Sequence, residues 1–509
     1  MFLSYIDCTF VKNHINLSIS SIQNQYQQSG KIEAILTQLQ QEKANFNISN
    51  LVGSSLSFVI AETFKKAEKP FLLIFDTKEE AAYYLNDLEQ LLTDKNVLFF
   101  PGSYRRPYEI EEVDNANILL RSEVLNRINS RKKPSIIVTY PEALFEKVVT
   151  KKELEKSTLK VAVGEAVSPD FINEILFEYQ FNRVDFVTEP GEFSVRGGII
   201  DVFSFANNEP YRIEFFGNEI ESIRTFDIET QLSKEKLLKV SIIPNVENKT
   251  LQENRESFLA YISSKTVIFT KNTNMIFGNL NTLFEKASKT FVNLTKEINH
   301  SEPALLFCDG TFIKSQLQKF IQVDFGTNNP LEFISELHTE KIQQIQKKTH
   351  ISFQTHPQPS FNKQFKLLIK NLNEFSEKGF TNYILCANDQ QEKRFHDILD
   401  NNSEKTVSFQ TVVFPIHQGF IDVDQKIVCY TDHQIFERYH KFRLKNGYAK
   451  KQAITLKEIN NLEIGDYVTH IDHGIGKFGG LQKIDVEGKK QEAIKLIYGD
   501  RDILYVSIH

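Results

Sequence analysis

Gly53, Ser54, Ser55, Leu56 and Ser57 stand in the stretch LVGSSLSFVIAE, where an apolar strand pattern gives way to a helical one. A phosphate-binding loop at such a junction needs glycines to turn the chain and backbone N–H groups around the phosphates. It also needs a Lys on the β and γ phosphates and a Ser or Thr for Mg²⁺. The small residues are present, but Leu56 takes the place of the Lys and no GK[ST] occurs there. The stretch therefore reads as a plain strand-to-helix turn, compatible with a degenerate, non-functional phosphate loop that has lost its cation. No Asp-Glu box of the helicase type, no GxSxG and no HExxH accompanies it.

Other titratable groups lack the partners chemistry would need. His470 and His473, with Asp472 in THIDHG, have the residue types of a metal site, but two histidines three apart beside glycines in a β-turn read better as structural. Asp432 and His433, with His440 nearby, have no nucleophile beside them. The four cysteines, Cys8, Cys308, Cys386 and Cys429, are far apart and form no CxxC, so neither a zinc site nor a disulfide framework is expected. The reading is of a chain with no catalytic residue, no metal ligand and no cofactor of its own.

The elements that carry these residues alternate along the chain. Ile32, Ile35, Leu36 and Leu39 have near-helical spacing, FNISNLVG reads as a strand, and Phe71–Phe75, Val97–Phe100 and Ile136–Thr139 repeat the strand signal between helical stretches. This is the pattern of a parallel sheet built from βαβ units. From about 160 to 230, FSVRGGIIDVFSF and YRIEFFGNEIESIRTFD switch to short alternating strands with Gly and Asn turns, which predicts an inserted antiparallel sheet. VIFT and ALLFCDG are the strands expected between 230 and 360, and helix–strand–helix returns at FKLLIKNLNEFSEKGFTNYILCANDQQEKRFHDIL. KFRLKNGYAKKQ reads as a linker or a solvated helix face. The closely spaced strands and Gly turns from IGDYVTHIDHGIGKFGGL onward predict a small β-barrel. A barrel ending at His509 would leave an open edge, so truncation is expected.

A chain of 509 residues is too long for one core. Its 41% hydrophobic and 25% charged residues are ordinary for a globular protein. A net charge of −6 offers no global basic field and points to protein partners rather than nucleic acid as the first contact. No unbroken apolar stretch of about 18 residues occurs, so an untargeted cytoplasmic chain without a membrane partner is expected, and as a monomer.

Three segments, FPGSYRRPYEIEEVDNANILLRSEVLNRI (100–128), PGEFSVRGGIIDVFSFANNEPYRIEFFGNEIESIRTFD (190–227) and IGDYVTHIDHGIGKFGGL (464–481), resemble segments found in this order in the bacterial transcription-repair coupling factor (Mfd) family. The first two also resemble the damage-recognition protein UvrB. The resemblance implies an α/β multidomain fold. A UvrB-like α/β domain with a degenerate P-loop would occupy 1–141 and 229–360, interrupted by an inserted antiparallel α+β domain at 142–228. A small α/β domain would follow at 361–445, then a linker and a Tudor-like small β-barrel, the RNA polymerase interaction domain, at 446–509. In the family an ATP-dependent double-stranded DNA translocase follows, so ATP, Mg²⁺ and DNA belong to residues beyond these.

The resemblance further implies that the inserted domain binds UvrA, through Arg183 in FNRVDF, Arg196 in SVRGG, and Arg212 and Glu214 in YRIEFF. Alternation puts Arg212 and Glu214 on one face, opposite Ile213 and Phe215. Arg presents a planar fork of donors suited to carboxylates and is enriched in interface hot spots. Without the resemblance the same residues are solvated charges on an outer sheet face. Phe193 and Phe203 are expected in the core. Arg105 and Arg106, amid Glu109, Glu111 and Glu112, read as a surface ion-pair cluster or a DNA phosphate contact. Ile484 lies near the family's contact with the β subunit of RNA polymerase, or else packs in the barrel core. The expected function is an adaptor that tethers stalled polymerase and recruits UvrA for nucleotide excision repair. The alternative is a nucleic-acid-enzyme fragment that still binds nucleotide or DNA.

Overall fold

The computed structural model describes residues 19–92, 96–103, 108, 115–130, 133–205, 207, 209–228, 230–244, 254–293, 301–326, 349–402, 408–438, 464–470, 473–486, 489–499 and 502–507. Residues 1–448 form one compact unit and 449–509 a second.

A seven-stranded sheet organises the first unit, in the order His350–Ser352, Asn45–Ser49, Ile321–Asp324, Val267–Thr270, Phe71–Ile74, Ile136–Thr139, Val97–Phe99. Every pairing is parallel. The central FLLI, IIVT and VIFT strands are buried at every position, as a sheet covered on both faces requires. The Lys78–Leu91 helix begins at Thr77, whose side chain accepts from the Glu80 N–H, with Glu79 and Glu80 set against the positive end of the helix. ALLFCDG departs from its expected strand. Pro303–Leu306 is a helical turn and only Phe307 makes a bridge, to Glu146, because Pro303 fixes a helical φ and lacks a ladder donor.

The inserted sheet has six strands, in the order Ser233–Leu237, Glu219–Phe226, Tyr211–Phe216, Ile199–Val202, Glu192–Arg196, Asn182–Arg183. All pairings are antiparallel except the last, which is parallel. Tyr211, Ile213 and Phe215 turn to a core shared with Ile172 and Leu176 of the Pro169–Glu178 helix. Phe193 and Phe203 are both fully buried. A ribbon of Leu159–Ala162 against Lys239–Ile242 joins the segments that enter and leave this sheet.

A five-stranded sheet follows, in the order Thr355–Pro357, Phe420–Asp422, Ile427–Thr431, Thr381–Cys386, Gln410–Val413. Its two faces go to different cores. Ile384, Val428 and Tyr430 pack under the Phe365–Glu377 helix with Leu368 and Leu372, whereas Tyr383, Leu385, Phe420 and Cys429 join the core of the seven-stranded sheet.

The second unit is an antiparallel meander of Tyr467–His470, Gly474–Val486, Lys489–Tyr498 and Asp502–Ser507 around Val468, Phe478 and Leu496. The expected barrel is here an open sheet: among the described residues the first and last strands do not pair. No helix among the described residues is long and apolar enough to cross a membrane.

Candidate functional site

On the solvent side of the inserted sheet, Arg212 stands opposite Asp201 in the ladder. Arg212 Nε donates to Asp201 Oδ1 at 2.7 Å and Nη2 to Oδ2 at 2.8 Å, the fork-to-carboxylate geometry that only a guanidinium supplies. This pairing holds the Arg212 proton above its ordinary affinity. Arg212 Nη1 donates to the Gln231 carbonyl at 3.1 Å, and the guanidinium lies 4.6 Å over the Phe226 ring. Arg196, on the next strand, ion-pairs with the same carboxylate and stacks 5.4 Å from the exposed Phe186 ring. Asp201 is fully buried, whereas the Arg196 side chain is 40% exposed and that of Arg212 15%. One carboxylate thus serves two guanidiniums, leaving a net positive patch whose outward donors belong mainly to Arg196.

Glu214 shares this face. It accepts from Ser222 Oγ at 2.7 Å and pairs with Arg224, and these contacts hold its carboxyl below the usual range, Ser222 first. Arg183 does not join them. It pairs in register with Phe193, on the face that carries the core, and is exposed on a two-residue edge strand, where the neighbouring ladder and not the charge sets its direction. Asp201, Arg224, Phe186 and Ser222 complete the cluster without having been anticipated. The available signal was the lone acid in IIDV, since a carboxylate between buried apolar neighbours needs cationic partners.

At the strand-to-helix turn, Gly53 has φ +57 and Leu56 is 2% exposed, packed in the core where a phosphate-binding Lys would need to be free. Ser55 Oγ accepts from Val52 N–H at 3.0 Å and donates to the Val52 carbonyl at 2.7 Å. Ser57 Oγ donates to Asp87 at 3.1 Å. The Ser54 N–H is taken by the Gln418 carbonyl at 3.1 Å.

His433 and Asp432 are packed into structure: a His433 ring nitrogen meets the His417 carbonyl at 2.9 Å, burial lowers the His433 pKa, and Asp432 pairs with Arg438 at 3.2 Å. The His470 and His473 rings are 4.8 Å apart, and the His473 N–H donates to His470 Nδ1 at 3.3 Å. No cluster of three metal-ligating side chains occurs among the described residues. Arg105, Arg106, Glu109, Glu111, Glu112, Asp472 and His440 lie outside the described residues. Ile484 pairs with Gln491 in the ladder, and its side chain lies outside the described residues. On its other side, Gln482–Val486 has no strand partner among the described residues, because the first strand of the meander pairs only with Gly474–Lys477.

Comparison with known proteins places two families on these parts. Residues 159–247 match the UvrB interaction domain, and residues 462–509 match the CarD-like/TRCF RID domain. The transcription-repair-coupling factor of Bacillus subtilis (strain 168) is 27% identical, covering 96% of this chain and 46% of that protein. The protein of the same description from Staphylococcus aureus (strain Mu50 / ATCC 700699) is 25% identical over 92% of this chain and 44% of its own length. The chain spans about half the length of the curated relatives it matches.

Proposed function

We propose that the chain is the N-terminal part of a transcription-repair-coupling factor and acts as an adaptor in transcription-coupled DNA repair, a reading supported by its likeness to those proteins and to the two family domains. Its inserted domain recruits UvrA and its C-terminal sheet holds the β subunit of RNA polymerase. The observation that carries this reading is the two-to-one arrangement at Asp201 inside the UvrB interaction domain: two guanidiniums on one buried carboxylate, with Arg196 half open to solvent. A pre-positioned Arg beside an exposed aromatic, Phe186, is the composition of an interface anchor. Glu214 adds an acceptor on the same face, and Arg183 a contact at its edge.

On the polymerase side, the open ladder edge at Gln482–Val486 suits the addition of a partner strand, with Ile484 at its apolar centre. The chain works as a monomer in the cytoplasm and hydrolyses no nucleotide. ATP, Mg²⁺ and double-stranded DNA are handled by the translocase part of the family. The alternative, a fragment that binds nucleotide at Gly53–Ser57, is disfavoured by the protein carbonyl already seated on Ser54.

The test is retention of each partner by the purified chain. Ile484→Arg should abolish retention of RNA polymerase and leave UvrA bound, and Arg196→Glu should do the reverse. Loss of neither, or of both by either substitution, would contradict the assignment of the two surfaces.

A further inference from the structure

The turn at Gly53–Ser57 is filled. Gln418, from the loop before the Phe420–Asp422 strand, presents both of its backbone groups to Ser54: the Ser54 N–H donates to the Gln418 carbonyl at 3.1 Å, and the Gln418 N–H donates to Ser54 Oγ at 3.0 Å. The Ser54 hydroxyl therefore does not cap its own helix, Ser55–Ala67. One residue earlier, the His417 N–H donates to Asp87 Oδ1 at 2.8 Å, and Asp87 also accepts from Ser57 Oγ and from the Ser54 side chain. The His417 ring stacks on Tyr83, with centroids 3.8 Å apart and planes 18° apart. A Cβ on Gly53 would lie 2.9 Å from the Gly419 carbonyl oxygen, so the absence of a side chain is what lets the loop sit this close.

We propose that His417–Gly419 is an internal ligand of this relic of a phosphate loop, and that the relic serves as the joint fixing the five-stranded sheet to the seven-stranded one. The exposed N–H groups at the start of a helix favour negative charge, and a peptide carbonyl supplies a partial one. A neutral carbonyl needs no counter-cation, which accounts for a buried Leu56 where nucleotide would demand Lys. The joint continues into shared packing: Phe58 meets Phe420 edge-on at 5.8 Å, and buried Tyr26 donates to Asp422 at 2.6 Å. A nucleotide could reach Ser54 only by expelling the loop and opening that packing. This inference goes beyond the adaptor reading and involves neither UvrA nor polymerase.

Residue-resolved hydrogen exchange on the whole chain tests it. The Gln418 and His417 amides should exchange at least about a hundredfold more slowly than an unstructured loop. Ser54→Ala should speed exchange at Gln418 by about tenfold or more, while the amides of Thr381–Cys386 keep their rates. Millimolar Mg²⁺ and ATP should change nothing. Free-loop exchange at Gln418 in the unsubstituted chain, no response to Ser54→Ala, or deprotection by ATP would each overturn the proposal. Should Ser54→Ala unfold the chain, the protection of Gln418 in the unsubstituted chain and its indifference to ATP still decide.

Discussion

Asp201 and Arg212 face each other across neighbouring strands and share two hydrogen bonds, at 2.7 and 2.8 Å, while Arg196 closes on the same carboxylate from the far side. The buried acid fixes where both guanidiniums point, so the direction of the arginine face is decided inside the sheet.

Asp201→Ala should therefore destabilise the inserted domain by about 3 kcal/mol, because it strands two cations on one face. The partial exposure of Arg196 places the loss at the lower end for broken buried pairs. Asp201→Asn keeps one acceptor oxygen and should lose less. Urea unfolding monitored on this domain measures both, and equal stability of all three proteins would refute the role given to Asp201.

Leu56→Lys should not create a nucleotide site. Leu56 is buried in the core, so an ammonium there loses its hydration without gaining a phosphate, and stability should fall by more than about 3 kcal/mol. Thermal unfolding with and without Mg²⁺ and ATP checks this, and ATP-dependent stabilisation would speak against it.

Burial raises Asp87 from 3.8 to about 7, against the opposing pull of hydrogen bonds from Ser54, His417 N–H and Ser57. The folded chain thus keeps a proton that the unfolded chain releases at lower pH. The stability this group contributes is full below pH 3.8 and is lost as pH rises towards 7. Asp87→Asn removes that dependence, so relative to the parent the variant should gain up to about 1.4 kcal/mol per pH unit across this window. His433, whose ring nitrogen meets the His417 carbonyl, has its proton affinity lowered by burial, a shift that parent and variant share. A pH-independent difference between parent and variant would contradict the assignment.

Gly53 and Gly217 have similar backbones, with φ +57 and +62, but different surroundings. Ala at Gly217 meets nothing within 4 Å and should cost about 1–2 kcal/mol from the left-handed φ alone. Gly53→Ala adds a clash with the Gly419 carbonyl and should be the more destabilising of the two in thermal unfolding. The reverse order would mean that the loop is not seated as described.

The parallel sheet was legible because a strand covered on both faces is apolar at every position, as FLLI, IIVT and VIFT are. Period-two alternation likewise put Arg212 and Glu214 on one face. Arg183 lies on a two-residue edge strand, which has no period from which its face could be read. Asp201, the shared partner of Arg196 and Arg212, was missed because it comes from a strand whose register against theirs no local pattern states. The seat of Gln418 on Ser54 joins positions 364 residues apart, and the sequence marks only one side of it, the serines around an absent Lys.

The recruiting surface is tested most directly by the affinity of purified UvrA for the whole chain and for its Arg196→Glu form, titrated at low and high salt. The Arg196 side chain is 40% exposed, and thermal unfolding of the Arg196→Glu form is the control that the sheet stays folded beside the Asp201 carboxylate. Weakening by at least about tenfold, with the gap narrowing as salt rises, is the predicted result. Equal affinity of the two forms at low salt would contradict it.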